Sequence, residues 1–250
     1  MNLRESLPEP IIKPIKKTRD FIYRLTYHGS SRYCPVCGKS SIKFAAFGRP
    51  PRNDARCVYC GALERHRFVW EFFKHKTNLF DNNNKNMLHI APEPFFEKRL
   101  KSYFSSGYIS ADLYDKKAMI KMDITDIQFP DGFFDVIYCS HVLEHINDDK
   151  KAIGEFYRVL KSNGWAIIMV PINSEKTFED FSVTTPAERL RIFGQKDHVR
   201  SYGKDFIDRL TESGFIVKSY NPFDIFQKES AIKLGIANGT DEIFYCKKQL

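Results

Sequence analysis

Two Cys-x-x-Cys pairs, Cys34/Cys37 and Cys57/Cys60, stand in the first third of this 250-residue chain with residues 38–56 between them. A Cys-x-x-Cys turn delivers two thiolates from one tight knuckle, and two knuckles complete the tetrahedron that zinc prefers. Each pair is followed directly by a glycine, Gly38 and Gly61, where a left-handed backbone lets amide groups face the sulfurs. Two disulfides, or four ordinary buried thiols, are the competing readings. A disulfide framework belongs to short secreted chains, and no apolar signal stretch opens this one. The spacing therefore predicts a structural zinc held by Cys34, Cys37, Cys57 and Cys60. Cys139 and Cys246 lie in apolar, strand-like runs and read as core cysteines. His66 is a spare ligand candidate, but with four cysteines present it is expected at the surface or behind the ligands.

With 42% apolar and 28% charged residues, the chain can build one large core and a small appendage. No run approaches the roughly 18 apolar residues of a membrane span, so a cytoplasmic protein is expected. The formal net charge of +8 is unevenly spread. Residues 1–80 hold 16 Lys and Arg against 6 Asp and Glu, a balance of +10 that leaves −2 for the rest. Such asymmetry points to an anionic partner: RNA, a phosphorylated or acidic small molecule, or lipid headgroups. A solvated basic surface without a partner is the simpler alternative.

Residues 1–30, with Pro8, Pro10 and Pro14 and a basic, aromatic run, read as an arm leading into an amphipathic helix suited to peripheral membrane contact or to packing on the protein itself. Residues 31–80 read as a zinc-ribbon-like module with a linking helix over ERHRFVWEFFKHKTN, and the polar turn at 81–86 marks a boundary. From residue 87 to 250, strand and helix signals alternate, which predicts an α/β domain with a mostly parallel sheet. The strands are MLHIA, SGYISADL, IKMDI, FFDVIYCSHVL and WAIIMVPI, followed by GFIVKSYN and DEIFYCKK as a closing antiparallel hairpin. A helix is expected over DDKKAIGEFYRVLKSNG, with Gly164 as its left-handed cap.

The segment FPDGFFDVIYCSHVLEHINDDKKAIGEFYRVLKSNGWAIIMVP resembles the strand-4-to-strand-5 block of class I S-adenosylmethionine (SAM)-dependent methyltransferases, in register with acidic residues at the ends of strands 2 and 3. The resemblance covers residues 87–250 and implies a doubly wound, Rossmann-like, seven-stranded mostly parallel sheet preceded by a small zinc module. In such sheets the ligand lies across the carboxyl ends of the strands at the topological switch point. The resemblance further implies that Asp112 accepts the ribose hydroxyls, Asp123 the adenine amino group with Ile124 against the ring, and that Ser140 and His141 lie beside the methionine end. In the family, strand 1 is followed by D-x-G-x-G. Here LHIAPEPFF puts His89 in place of the carboxylate, Ala91 in place of the first glycine and Glu93 in place of the second, among prolines that fix the backbone. Two readings follow: a stiffened loop in which Glu93 meets the methionine ammonium, or a degenerate site.

Between strand 5 and the next helix lies the insert FEDFSVTTPAERLRIFGQKDHVRSYG, too polar for core and placed where acceptor pockets are built. Methyl transfer depends on positioning, and a base is needed only for a hydroxyl or protonated nitrogen. His141 and His198 are the candidate catalytic residues, with Arg200 as the charge for an anionic acceptor. The expected activity is SAM-dependent methylation of an anionic small molecule or glycan. The alternatives are an RNA methyltransferase and a non-catalytic protein with a degenerate methyltransferase fold.

Overall fold

The computed structural model describes residues 21–22, 25–48, 50–81 and 84–248. Most of the arm expected over 1–30 lies outside them. Chain contacts divide the molecule into two compact units, one of residues 1–76 with 226–240 and one of residues 77–225 with 241–250.

The first unit begins with two antiparallel hairpins, β1 (Arg32–Cys34) with β2 (Lys39–Ser41) and β3 (Ala45–Phe47) with β4 (Arg52–Arg56). They lead into α1 (Glu64–Lys76), where the sequence places its linking helix. Both knuckles turn as their glycines require. Gly38 has φ 71° and donates to the Cys34 carbonyl at 2.8 Å; Gly61 has φ 87° and donates to the Cys57 carbonyl at 2.9 Å.

The second unit carries a seven-stranded sheet. Its strands are β5 (Met87–Ile90), β6 (Tyr108–Asp112), β7 (Ile120–Lys121), β8 (Phe134–Ser140) and β9 (Leu160–Met169), with α2 (Pro94–Phe104) after β5 and α3 (Asp149–Val159) after β8. The insert then forms a small sheet from β10 (Ile172–Ser174), β11 (Phe178–Glu179) and β12 (Arg200–Gly203), with α4 (Pro186–Phe193) among them. α5 (Phe206–Glu212), β13 (Phe215–Tyr220) and β14 (Ile243–Lys248) complete the unit. The order across the large sheet is β13-β14-β9-β8-β5-β6-β7. All pairings from β9 to β7 are parallel, while β14 runs antiparallel to both β9 and β13. Because β5 and β8 are neighbours and the chain winds outward in both directions from them, the switch point lies between their carboxyl ends.

Burial on both faces explains the nearly continuous apolar run of β8, all of it buried except Asp135. α3 starts at Asp148, whose side chain accepts from the Lys151 amide at 2.9 Å, and covers the sheet with Ala152, Ile153, Phe156 and Val159. The helix expected to run to Gly164 ends at Val159 instead. Leu160 is extended and buried, and it pairs with Phe134; β9 then bulges so that Trp165 meets Val136. Gly164 has no left-handed φ. A Cβ there would come within 3.0 Å of the Asp135 carbonyl, so glycine serves close approach at the bulge rather than a cap.

Between β13 and β14 the chain forms α6 (Lys228–Leu234), which belongs to the first unit although its sequence lies within the 87–250 span. There the buried Arg67 of α1 donates to four carbonyls: Leu234 at 2.7 Å, Gly235 at 2.7 Å, Ala55 at 2.8 Å and Ala62 at 2.9 Å. Its guanidinium also stacks over Phe44 at 3.9 Å. Lysine cannot reproduce this fork, so Arg67→Lys is expected to destabilise the first unit by about 3 kcal/mol or more. Denaturant unfolding followed at Trp70, in a Trp165→Phe background, measures this; an unchanged midpoint would show the network to be dispensable.

Candidate functional site

Four sulfurs meet at the knuckles. Cys34 and Cys60 are 3.7 Å apart, Cys37 and Cys57 3.8 Å, and all four lie within 4.8 Å of one another. None is in a disulfide. A tetrahedron with zinc–sulfur bonds of about 2.3 Å has edges of about 3.8 Å, so the donor set fits zinc in number, kind and spacing. Hydrogen bonds among the sulfurs draw the Cys57 thiol down and push that of Cys34 up. His66 turns away from a ligand role, its Nδ1 accepting from the Leu63 amide at 3.0 Å.

The other chemistry collects at the carboxyl ends of β5, β6 and β8. Ala91, directly after β5, holds φ 48° and donates to the Ala111 carbonyl at 2.9 Å. The position of the absent glycine thus keeps a glycine-like backbone on an alanine, at a cost of roughly 1–2 kcal/mol. His89 is fully buried, with Nε2 2.9 Å from Glu93 Oε2 and Nδ1 2.8 Å from the Tyr108 hydroxyl. The arrangement in which Tyr108 O–H donates to Nδ1 and Nε2–H donates to Glu93 satisfies both ring nitrogens. Tyr138 donates to Glu93 Oε1 at 3.4 Å. His89 therefore orients Glu93, which begins α2, and Glu93 keeps part of its carboxylate exposed.

At the end of β6, Asp112 Oδ1 accepts from the Tyr114 and Asp115 amides, each at 2.7 Å, while Oδ2 takes no partner among the described residues. The Met122 amide donates to the Asp112 carbonyl at 3.2 Å, which ties the loop after β7 to the end of β6. Asp123, in that loop, is exposed, its Oδ1 accepting from the amide and hydroxyl of Thr125 at 2.9 Å. Ile124 is buried in the core with Met122 and Ile127. At the end of β8, the buried Ser140 hydroxyl finds no partner among the described residues.

Beside it His141 adopts φ 56°, its amide donating to the Met169 carbonyl at 2.9 Å. Its ring stands between two carboxylates, Nδ1 3.4 Å from Glu144 Oε1 and Nε2 3.1 Å from Asp241 Oδ2. Glu144 follows from the local H-x-L-E-H run. Asp241 lies 100 residues away in sequence and carries no local signal.

This strand order decides the fold, and residues 97–168 match the family model described as "Methyltransferase domain". The second unit has the fold of class I methyltransferases, and residues 97–168 within it are similar to that family. Two solved structures share its fold at a TM-score of 0.50. One is a SAM-dependent methyltransferase of Archaeoglobus fulgidus, 16% identical, covering 72% of this chain and 93% of that one. The other, of Mesorhizobium loti, is 11% identical and covers 72% and 97%. Among curated relatives, the ajmaline N-methyltransferase of Rauvolfia serpentina is 32% identical over 104 residues, 41% of this chain and 33% of that protein. An uncharacterised protein of Methanocaldococcus jannaschii is 36% identical over 72 residues, 27% and 32%. The matched stretches thus span about a third of each curated relative.

The insert is exposed along most of residues 181–197 but turns inward at His198, Val199 and Arg200. Arg200 is 1% exposed, donating to the carbonyls of Leu143 at 3.0 Å, Asn147 at 2.8 Å and Ile146, and to Glu179 at 2.9 Å. Its charge is spent inside the fold, which corrects its expected role toward an acceptor. Tyr202 is buried as well and donates to Asp149 at 2.6 Å. His198 is brought to the 144–145 turn, its ring edge-on to His145 with centroids 4.8 Å apart. Burial, together with the neighbouring His145, pushes its imidazole down to about 4.

The strained loop gives a direct test. Ala91→Gly relieves the left-handed strain but loosens the unfolded chain, so stability is expected to change by less than about 1 kcal/mol. Ala91→Val, β-branched at positive φ, is expected to lose about 2 kcal/mol or more. Urea melts of the two variants separate these outcomes, and equal midpoints would contradict the left-handed assignment.

Proposed function

We propose that this chain transfers a methyl group from SAM to an anionic small-molecule or glycan acceptor held beside His141, that the four cysteines bind a structural zinc, and that the protein works in the cytoplasm. The observation that carries the reading is the set of groups along one edge of the sheet: the glycine-like backbone at Ala91, the outer oxygen of Asp112, the exposed Asp123 and the unpartnered Ser140 hydroxyl stand at or just past the carboxyl ends of β5, β6, β7 and β8. When bound, SAM supplies a methyl group already activated as a sulfonium. Asp112 would accept the ribose hydroxyls through Oδ2 and Asp123 the adenine amino group, while Glu93, held by His89 and Tyr138, would face the methionine ammonium. The Ile124 side chain, being in the core, leaves only its backbone to that loop. His141 is assigned the base. The carboxylates of Glu144 and Asp241 stabilise the charge that its ring acquires on taking up a proton. His198, with its depressed pKa, is the weaker base and is assigned to positioning. Support for an anionic acceptor is the +10 balance of residues 1–80. No helix among the described residues is long and apolar enough to cross a membrane.

Asp112→Asn keeps an acceptor for the turn amides and removes the charge. Titration calorimetry with S-adenosylhomocysteine is expected to show a tenfold to hundredfold loss, roughly 1.5–3 kcal/mol. Wild-type affinity in this variant would place the ribose elsewhere. For the acceptor, cell extract is incubated with enzyme and methyl-labelled SAM, then separated into small-molecule, glycan and RNA fractions. Label in the RNA fraction would replace the acceptor class proposed here, and absence of any label would favour a non-catalytic protein. Elemental analysis is expected to find one thiolate-bound zinc per chain, with the first unit unfolding on chelation.

A further inference from the structure

Next to His141 the same turn assembles a second set of metal-type donors, distinct in chemistry from the cysteines. One ligand atom each from Glu144, His145 and His198 lies within 4.8 Å of the others. Glu144 and His198 are buried, and His145 closes the set from the partly open side. One ring nitrogen of His145 is held from outside the set, and one of His198 is unpartnered. His145 Nδ1 is 3.3 Å from the Asp197 carbonyl and 3.4 Å from the Asp197 carboxylate, so Nδ1–H is held there and Nε2 keeps its lone pair. His198 Nε2 has no partner among the described residues although the side chain is buried. An outer acceptor that fixes one nitrogen and presents the other, as Asp197 does for His145, is what orients histidine ligands.

The insert also has a reason to be rigid here. The Val199 amide donates to the Glu144 carbonyl at 2.9 Å, and Arg200 holds the carbonyls of Leu143, Ile146 and Asn147, so His198 is clamped to the turn that carries Glu144 and His145. Stability of the turn alone would be met by Val199 and Arg200. It does not call for a buried imidazole with an unpartnered nitrogen within a few ångströms of a carboxylate and a second imidazole.

We propose that Glu144, His145 and His198 form a binding site for a divalent transition-metal ion, a two-histidine, one-carboxylate set with open coordination positions. A bound ion draws the three ligands in to about 2.0–2.2 Å and leaves room for an acceptor oxygen or water. Its place beside His141 rests on the methyl-transfer reading. There it would bind an oxygen-bearing acceptor, make its hydroxyl easier to deprotonate, and pass the proton to His141. Metal binding itself does not depend on that reading.

The test uses full-length protein with its cysteine site already filled with zinc. Cobalt(II) is titrated in and followed by visible absorption, with S-adenosylhomocysteine binding measured on the same samples. One further equivalent is expected, with ligand-field bands and no thiolate charge-transfer band. His145→Gln and His198→Gln are each expected to weaken it at least tenfold, with zinc content and S-adenosylhomocysteine affinity unchanged. His145 is partly exposed, so that variant remains informative even if the buried His198→Gln fails to fold. No second equivalent in wild type, or equal uptake in His145→Gln, overturns the site and leaves the two rings as an aromatic contact. Cobalt uptake without S-adenosylhomocysteine binding keeps the metal site and overturns the methyl-transfer reading instead.

Discussion

The organisation around β8 depends on one buried guanidinium. Arg200 comes from the insert, yet three of its acceptors are carbonyls of the irregular turn that follows β8. Such a turn has backbone oxygens that neither helix nor sheet can satisfy, and leaving them unpaired in the interior costs on the order of 1–3 kcal/mol each. Arg200 meets them together and is itself neutralised by Glu179 at 2.9 Å and Asp149 at 3.6 Å. Arg209 completes the cluster by holding both carboxylates at 2.9 Å. A charge that deep is tolerated only inside such a network. Arg200 brackets Glu144 and His145 between held carbonyls and fixes His198 two residues away.

At the other side of the switch point the fold keeps a backbone shape while giving up the residue that makes it easy. Ala91 accepts left-handed strain, and the neighbouring prolines limit the alternatives open to the chain. Where the resembling family has a carboxylate on strand 1, this chain has His89 pointing its hydrogen bond at Glu93, four residues on. The negative charge is displaced along the loop rather than lost. That displacement also explains why Tyr108 and Tyr138, on flanking strands, end in hydroxyls aimed at the same pair.

Much of this was legible in the chain. The cysteine spacing and the two following glycines gave the knuckles down to their φ values, and the alternation from Met87 onward gave the sheet. The errors have local causes. Gly164 looked like a helix cap because a glycine after an amphipathic helix normally is one, and a bulge that lets β9 start five residues early has no sequence signature. Arg200 and His198 read as acceptor-pocket residues because the insert is polar. Its polar groups instead satisfy one another and the turn after β8, a tertiary arrangement that composition does not report. Asp241 and Asp197 reach the histidines only through the fold.

The first unit is discontinuous. Its hairpins and α1 precede the second unit in the sequence, but two of the four carbonyls that receive Arg67 belong to Leu234 and Gly235, which follow most of that unit. During translation the guanidinium must stay hydrated, or pair elsewhere, until residues 167 and 168 positions downstream have emerged. Burial pulls its proton affinity down, and only the late carbonyls make that burial tolerable. The hairpins and α1 are therefore made before the second unit and closed only after most of it, and a ribosome that stalls before residue 234 releases a cysteine-bearing module without its closing helix.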